Sequence, residues 1–191
     1  GRQPATASLH PENAGIAVNE RGAIVVDKRL HTTADNIWAM GDVTGGLQFT
    51  YISLDDYRIV RDELLGEGKR STDDRKNVPY SVFMTPPLSR VGMTEEQARE
   101  SGADIQVVTL PVAAIPHARV MNDTRWVLKA IVDNKTQRML GASLLCVDSH
   151  EMINIVKMVM DAGLPYSILR DQIFTHPSMS ESLNDLFSLV K

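Results

Sequence analysis

The sequence predicts an α+β protein in two parts: residues 77–191 form an antiparallel sheet with helices, and residues 1–72 carry short strands and a helix in an α/β pattern. Three observations lead there. The stretch 67–77, Glu-Gly-Lys-Arg-Ser-Thr-Asp-Asp-Arg-Lys-Asn, is almost wholly polar and separates two patterned regions, as a domain boundary does. Downstream of it, strand-like runs at 126–132 and 138–146 flank the polar turn Asp133-Asn134-Lys135-Thr136, which predicts a hairpin and so antiparallel pairing. Upstream of it, the continuous apolar run Ile37-Trp38-Ala39-Met40 stops at Gly41-Asp42, as a strand buried on both faces does.

The remaining elements follow in chain order. Residues 14–27 alternate loosely about Gly22 (Ile16, Val18, then Ile24-Val25-Val26), predicting two short strands in a hairpin. Ile52, Ile59, Val60, Leu64 and Leu65 predict a helix over 50–65 that ends near Gly66 and Gly68. A strand at 80–84 is broken by Pro86-Pro87, and Thr94-Glu95-Glu96-Gln97 is a capping box opening a helix that stops at Gly102. A strand at 105–110 precedes the hairpin. Ile153, Val156, Lys157 and Met160 carry a helix over 149–161, stopped by Gly163 and Pro165. A short helix from Pro165 and a final one over 179–189 close the chain.

Composition narrows the function classes. Of 191 residues 43% are apolar and 23% charged, ordinary for a globular protein with a real core. Lys and Arg number 20 against 24 Asp and Glu, a net charge of −4 that argues against nucleic acid or an anionic membrane as partner. No apolar run is long enough to span a bilayer. The single cysteine, Cys146, rules out an internal disulfide and fits a reducing cytosol, so a cytoplasmic location is expected. The opening Gly1-Arg2-Gln3-Pro4 has no initiator Met, and the expectation is a cut inside a longer protein.

Two segments could carry chemistry. In the first, Gly41-Asp42-Val43-Thr44-Gly45-Gly46 follows a strand end, where α/β sheets bind ligands. Asp42 could accept from a sugar or polyol hydroxyl while the glycines let a flat ligand approach; an Asp capping a surface turn explains the same residues. In the second, Phe174-Thr175-His176-Pro177-Ser178-Met179-Ser180-Glu181, a carboxylate on one imidazole nitrogen would fix the tautomer and raise basicity at the other. Ser178-x-x-Glu181 is equally a capping box, so spacing leaves Glu181 between catalysis and capping.

Taken in order, the motif Gly41-Asp42-Val43-x-Gly45-Gly46, the run Val78-Pro-Tyr-Ser-Val-Phe-x-x-Pro-Pro-Leu-Ser-Arg-Val-Gly-Met-Thr-Glu-Glu-Gln-Ala98 and Phe174-x-His176-Pro-Ser-Met-Ser-Glu181 resemble the class I pyridine nucleotide–disulfide oxidoreductases. That family includes glutathione reductase, dihydrolipoamide dehydrogenase and mercuric reductase, and the nearest branch is the flavoproteins of bacterial reactive-chlorine resistance. The resemblance runs over essentially the whole chain. It implies that residues 1–72 are the C-terminal portion of an FAD-binding domain, with the exit from an NAD(P) domain at 1–9, and that 77–191 are a dimerisation domain.

Site roles follow from the same resemblance. Gly41 and Asp42 would hold FAD, Asp42 through the ribityl chain, with Gln48, Phe49 and Thr50 along the pyrimidine side of the isoalloxazine. His176 would be the acid–base partner of a redox thiol in the other subunit of a homodimer, oriented by Glu181. NAD(P)H would be the reductant and a small molecule the substrate, and no metal site is expected. The glycine fingerprints and the redox cysteine pair of the family are not among these residues, and Cys146 reads as a buried core thiol. The fragment alone is therefore expected to be inactive, and a non-catalytic dimerisation module is the alternative for it in isolation. For the full-length enzyme, His176 with Glu181 favours low-molecular-weight disulfides, with metal-ion or quinone reduction as the alternative. Trp126 and Cys146 stand where the family leads one to expect Gly, and Tyr51 where His or Pro is usual. The methionines read as core filler, and His10, His31, His117 and His150 as solvent-facing or locally bonded.

Overall fold

The structure, a computed structural model, describes residues 2–191; the reading of the opening residues starts on Gly1, which lies outside them. The chain forms two compact units, one up to Lys76 and one from Asn77 onward.

The first unit is held by turns and one long helix. The expected hairpin about Gly22 is reduced to a single bridge, Val18 to Ile24, closed by Asn19, whose Oδ1 accepts the N–H groups of Arg21 and Ala23 at 3.0 Å each. The expectation of a strand buried on both faces at 37–40 does not hold. Only Trp38 bridges, to His31, and of the four residues Ala39 alone is buried, while Met40 is 48% exposed. Among the described residues of this chain the run has one bridging neighbour, and no second layer covers its outward residues. Helix α1 (Thr50–Leu65) matches the prediction, and Gly66 ends it by donating its N–H to the Asp62 carbonyl at 2.9 Å. Its buried stripe is Ile52, Asp56 and Ile59, a carboxylate between two isoleucines.

The second unit is a five-stranded, wholly antiparallel sheet in the order β1-β2-β5-β4-β3. Its strands are β1 (Tyr80–Val82), β2 (Leu88–Gly92), β3 (Ile105–Pro111), β4 (Val127–Asp133) and β5 (Met139–Leu145). Alternation assigns the faces. Val91, Ala142, Leu144, Leu128, Ala130, Val108 and Leu110 share one face and are buried, in register across the ladders. Arg90, Ser143 and Lys129 point the other way, with Arg90 donating to Ser143 Oγ at 3.0 Å and Lys129 paired with Glu95. Helices α4 (Ser149–Asp161) and α6 (Ser182–Ser188) bury Met152, Ile153, Val156, Leu183, Leu186 and Phe187 in the core of this unit. Between them lies α5 (Ser167–Asp171).

Strand β2 and helix α3 (Pro116–Val120) were not foreseen, and α6 is shorter than the predicted 179–189 because residues before it form a separate turn. The capping box at Thr94 and Gln97 is present with both bonds made, opening α2 (Glu95–Glu100). A chain of hydroxyls crosses the core face: Ser81 Oγ to Ser89 Oγ at 2.7 Å, Ser89 to Ser149 Oγ at 2.9 Å, and Ser149 onward to the Pro87 carbonyl at 2.8 Å. It ties β1 and β2 to the first turn of α4 and leaves none of these buried groups unsatisfied.

Candidate functional site

In the first unit, Asp42 sits in a 3-10 turn, Gly41–Thr44, and its carboxylate side is exposed. Both ends of the turn need a left-handed backbone, supplied by Gly41 (φ +77°) and Gly45 (φ +73°). At Gly45 a Cβ would also fall 2.7 Å from the Cβ of Ala23, so any side chain would push the turn off the hairpin. Asp56 fixes the turn from below. It is 2% exposed, accepts the Gly41 N–H at 2.7 Å and pairs with the Arg75 guanidinium, which also bonds Asp55 at 2.7 Å.

Sequence reasoning missed Asp56 and Arg75. The available signal was an aspartate on the apolar stripe of a helix, a placement that requires a partner.

Gln48 and Phe49 line a cleft of about 1050 Å³ together with Gly45, Gly46, Arg21 and Asn19. Asp42 is not among its walls. Thr50 opens α1 and is exposed. The Phe49 ring stacks on Tyr51 with centroids 5.0 Å apart and planes 9° apart, and burial pushes the Tyr51 phenol up. A turn floor without side chains, an exposed carboxylate beside it and an open helix start with an aromatic ring suit a flat heterocycle bearing a hydroxylated chain.

In the second unit, the structure brings His176 and Glu181 together. His176 is 69% exposed, and its Nδ1 lies 2.8 Å from Glu181 Oε2. The other carboxylate oxygen, Oε1, accepts the Ser178 N–H at 3.1 Å, while Ser178 Oγ accepts the Glu181 N–H at 3.3 Å. Capping and orientation thus coexist, because each is served by a different oxygen. Ser178 further donates to the Thr175 carbonyl at 2.6 Å, closing the turn. The His176 ring, acting most strongly, holds the Glu181 carboxyl below its usual range, and the Ser178 N–H adds to it. With Nδ1 committed to the carboxylate, a neutral ring presents Nε2 outward as an acceptor, an arrangement suited to taking and returning a proton.

Cys146 plays no part in either place. It is fully buried with Sγ 3.9 Å from Met152 Sδ, and burial pushes its thiol up to about 12. Among the described residues, no group of three or more His, Cys, Asp or Glu side chains could hold a metal ion, and no helix is long and apolar enough to cross a membrane. His117 and His150 depart from expectation: each buries Nδ1 without a hydrogen-bond partner.

The antiparallel sheet with α4 and α6 on it, ending in the His176–Glu181 turn, is the dimerisation domain of the pyridine nucleotide-disulphide oxidoreductases; that family model matches residues 78–187, and a second model of the same family matches 1–56. The chain belongs to this family. It is 99% identical, over all 191 residues, to a probable pyridine nucleotide-disulfide oxidoreductase, RclA, of Escherichia coli strain K12, and covers 43% of that protein. A mercuric reductase of Staphylococcus aureus is 35% identical over 183 residues, 96% of this chain and 33% of its own length. Among solved structures, the Cu(II) complex of the HOCl-induced flavoprotein disulfide reductase RclA from Escherichia coli superposes with a TM-score of 0.99 at 98% identity, covering the whole chain and 44% of that one. The chain therefore spans less than half the length of the relatives it matches.

Proposed function

We propose that this chain is the FAD-contacting and dimer-forming portion of an FAD-dependent NAD(P)H:disulfide oxidoreductase. Residues 1–72 close the FAD domain, with the exit from the NAD(P) domain at 1–9, and residues 77–191 are the dimerisation domain of a homodimer. When bound, FAD carries reducing equivalents from the nicotinamide to a cysteine pair supplied by the rest of the enzyme. With FAD bound, Asp42 at the Gly41 turn would hold a ribityl hydroxyl, and Gln48, Phe49 and Thr50 would border the pyrimidine edge. His176 takes and returns a proton at Nε2 beside the redox thiol of the partner subunit. Glu181 holds the ring through Nδ1 and stabilises its protonated form. The substrate class is a low-molecular-weight disulfide, in line with an imidazole at 176.

The observation that carries this reading is the division of the Glu181 carboxylate, one oxygen on the His176 ring and one on the turn backbone. A cap alone would not require an exposed imidazole at 2.8 Å.

The test uses the full-length enzyme. Glu181→Gln keeps an acceptor for the Ser178 N–H, so it lowers turnover and shifts its pH dependence with little change in stability. His176→Gln costs about 10²–10⁴-fold in turnover. A mixed dimer of a His176→Gln subunit and one lacking its redox thiols retains about half the wild-type activity, since one active site keeps both thiols and a wild-type His from across the two-fold axis. An inactive mixed dimer would mean that His176 serves its own subunit.

A further inference from the structure

The polar stretch that separates the two patterned regions of the sequence is not a free linker. The N–H groups of Lys69 and Arg70 both donate to Asp62 Oδ2, at 2.7 and 2.9 Å, the Thr72 N–H donates to the Lys28 carbonyl at 2.9 Å, and Ser71 with Asp74 closes a capping box. This strap ends by laying the Arg75 guanidinium on two neighbouring carboxylates of α1: Nε donates to Asp55 Oδ2 at 2.7 Å, and Nη2 donates to Asp56 Oδ1. The other oxygen of Asp56, Oδ2, accepts the Gly41 N–H at 2.7 Å. Two further bonds of the Gly41–Thr44 turn, Thr44 Oγ1 to the Gly41 carbonyl at 2.9 Å and the Ile24 N–H to the Val43 carbonyl at 3.0 Å, run to different groups. A continuous line of contacts therefore leads from the strap, through one buried carboxylate, to the turn that carries Asp42.

Resting on the FAD reading above, we propose that Arg75 is a positioning residue of the cofactor site: it keeps the Asp56 carboxylate against the Gly41 N–H, and so holds the Gly41–Thr44 turn in the form that offers Asp42 to the ribityl chain. Charge balance explains why an arginine stands there. Asp56 is 2% exposed, between Ile52 and Ile59 on the buried stripe of α1. A carboxylate so placed needs a counter-charge and a bond at each oxygen. With the guanidinium gone, the Asp56 side chain gains by swinging toward water, and the Gly41 N–H loses its acceptor. The turn then samples other forms, and only the fraction in the competent one takes the cofactor. A planar fork suits the task better than an ammonium, since one group reaches the carboxylates of two adjacent residues.

The experiment measures flavin release from the full-length holoenzyme, by ultrafiltration across a dilution series, beside thermal unfolding followed by tryptophan emission. Arg75→Gln should raise the Kd for FAD about tenfold, as when the competent turn falls to about a tenth of the population. Asp56→Asn combined with Arg75→Gln keeps an acceptor for the Gly41 N–H and removes the buried charge, so the Kd should return to within about threefold of wild type. Should Arg75→Gln not fold, Arg75→Lys takes its place; it keeps the cation and loses the fork, and a rise of about threefold is expected. A lowered melting temperature with an unchanged Kd overturns the inference, because Arg75 would then only fasten the strap. A double variant that releases flavin as readily as the single one overturns it too, since the buried charge would not be what matters. Asp42→Ala separates this inference from the reading beneath it. If Asp42→Ala loosens flavin and the Arg75 variant does not, the inference fails and the FAD reading stands. If Asp42→Ala holds flavin as wild type does, the placement of the ribityl chain falls, and this inference with it.

Discussion

At the residue scale, two side chains make their chemistry testable without the rest of the enzyme. The Cys146 thiol, buried against Met152 and pushed up to about 12, has almost no thiolate at neutral pH. Iodoacetamide should leave it unmodified in the native chain and label it fully in denaturant; rapid native labelling, read by mass spectrometry, would contradict the burial. Glu181 is the second. Its folded carboxyl lies below the ordinary value of 4.5, so it stabilises the 175–181 turn above that value, and the contribution is lost as pH falls through the lower, folded one. Acid exposure of this turn, followed by proteolysis, should begin below pH 4.5 in the wild type and lose that pH dependence in Glu181→Gln. The sequence displayed His176, Ser178 and Glu181 at capping-box spacing but could not say which oxygen did what, since a carboxylate's two lone-pair directions are fixed only by the folded turn. Asp42 was legible as a turn residue. The Asp56–Arg75 support was not, because the partners stand 19 positions apart, across helix and linker.

At the scale of elements, what was readable was whatever carried its own punctuation. Helix α2 opens on its Thr94–Gln97 box, α1 stops at Gly66, the C-cap of α4, Ala162, stands one residue before Gly163, and the β4–β5 hairpin is framed by a polar turn. Strand β2 was not readable: Leu88-Ser89-Arg90-Val91-Gly92 has only two large apolar residues, and it is a strand because its ladder to β5 and its hydroxyl link to α4 make it one. The same β2–β5 ladder shows why its glycines are needed. A Cβ on Gly141 would lie 2.1 Å from the Met93 carbonyl oxygen, and one on Gly92 would lie 2.3 Å from the Leu140 carbonyl oxygen. Neither contact can be relieved by rotating a side chain. Gly141→Ala should destabilise the second unit by more than about 2 kcal/mol, the scale of overpacking with backbone displacement. Thermal unfolding measures it, and a change within 0.5 kcal/mol would show that the ladder yields more readily than its geometry implies. Trp126 is the reverse case. It takes φ +77°, a conformation comfortable for the Gly that the family resemblance led one to expect there.

For the whole molecule, the second unit holds a continuous core yet leaves Phe83, Val120, Met158 and Ile173 largely exposed. Surface apolar residues in this number on a dimerisation-domain fold fit association about a two-fold axis. The chain, 21.1 kDa as a monomer, should sediment at micromolar concentration as a species of twice that mass; monomer alone would speak against the homodimer. Its two tryptophans fall one to each unit, Trp38 with its ring centroid 5.2 Å from His31 and Trp126 half in solvent. Intrinsic fluorescence from this chain is therefore the sum of two local reporters. With Trp38 changed to Phe, all remaining indole emission comes from the sheet unit, and the unfolding of one half can be watched while the other is spectroscopically silent.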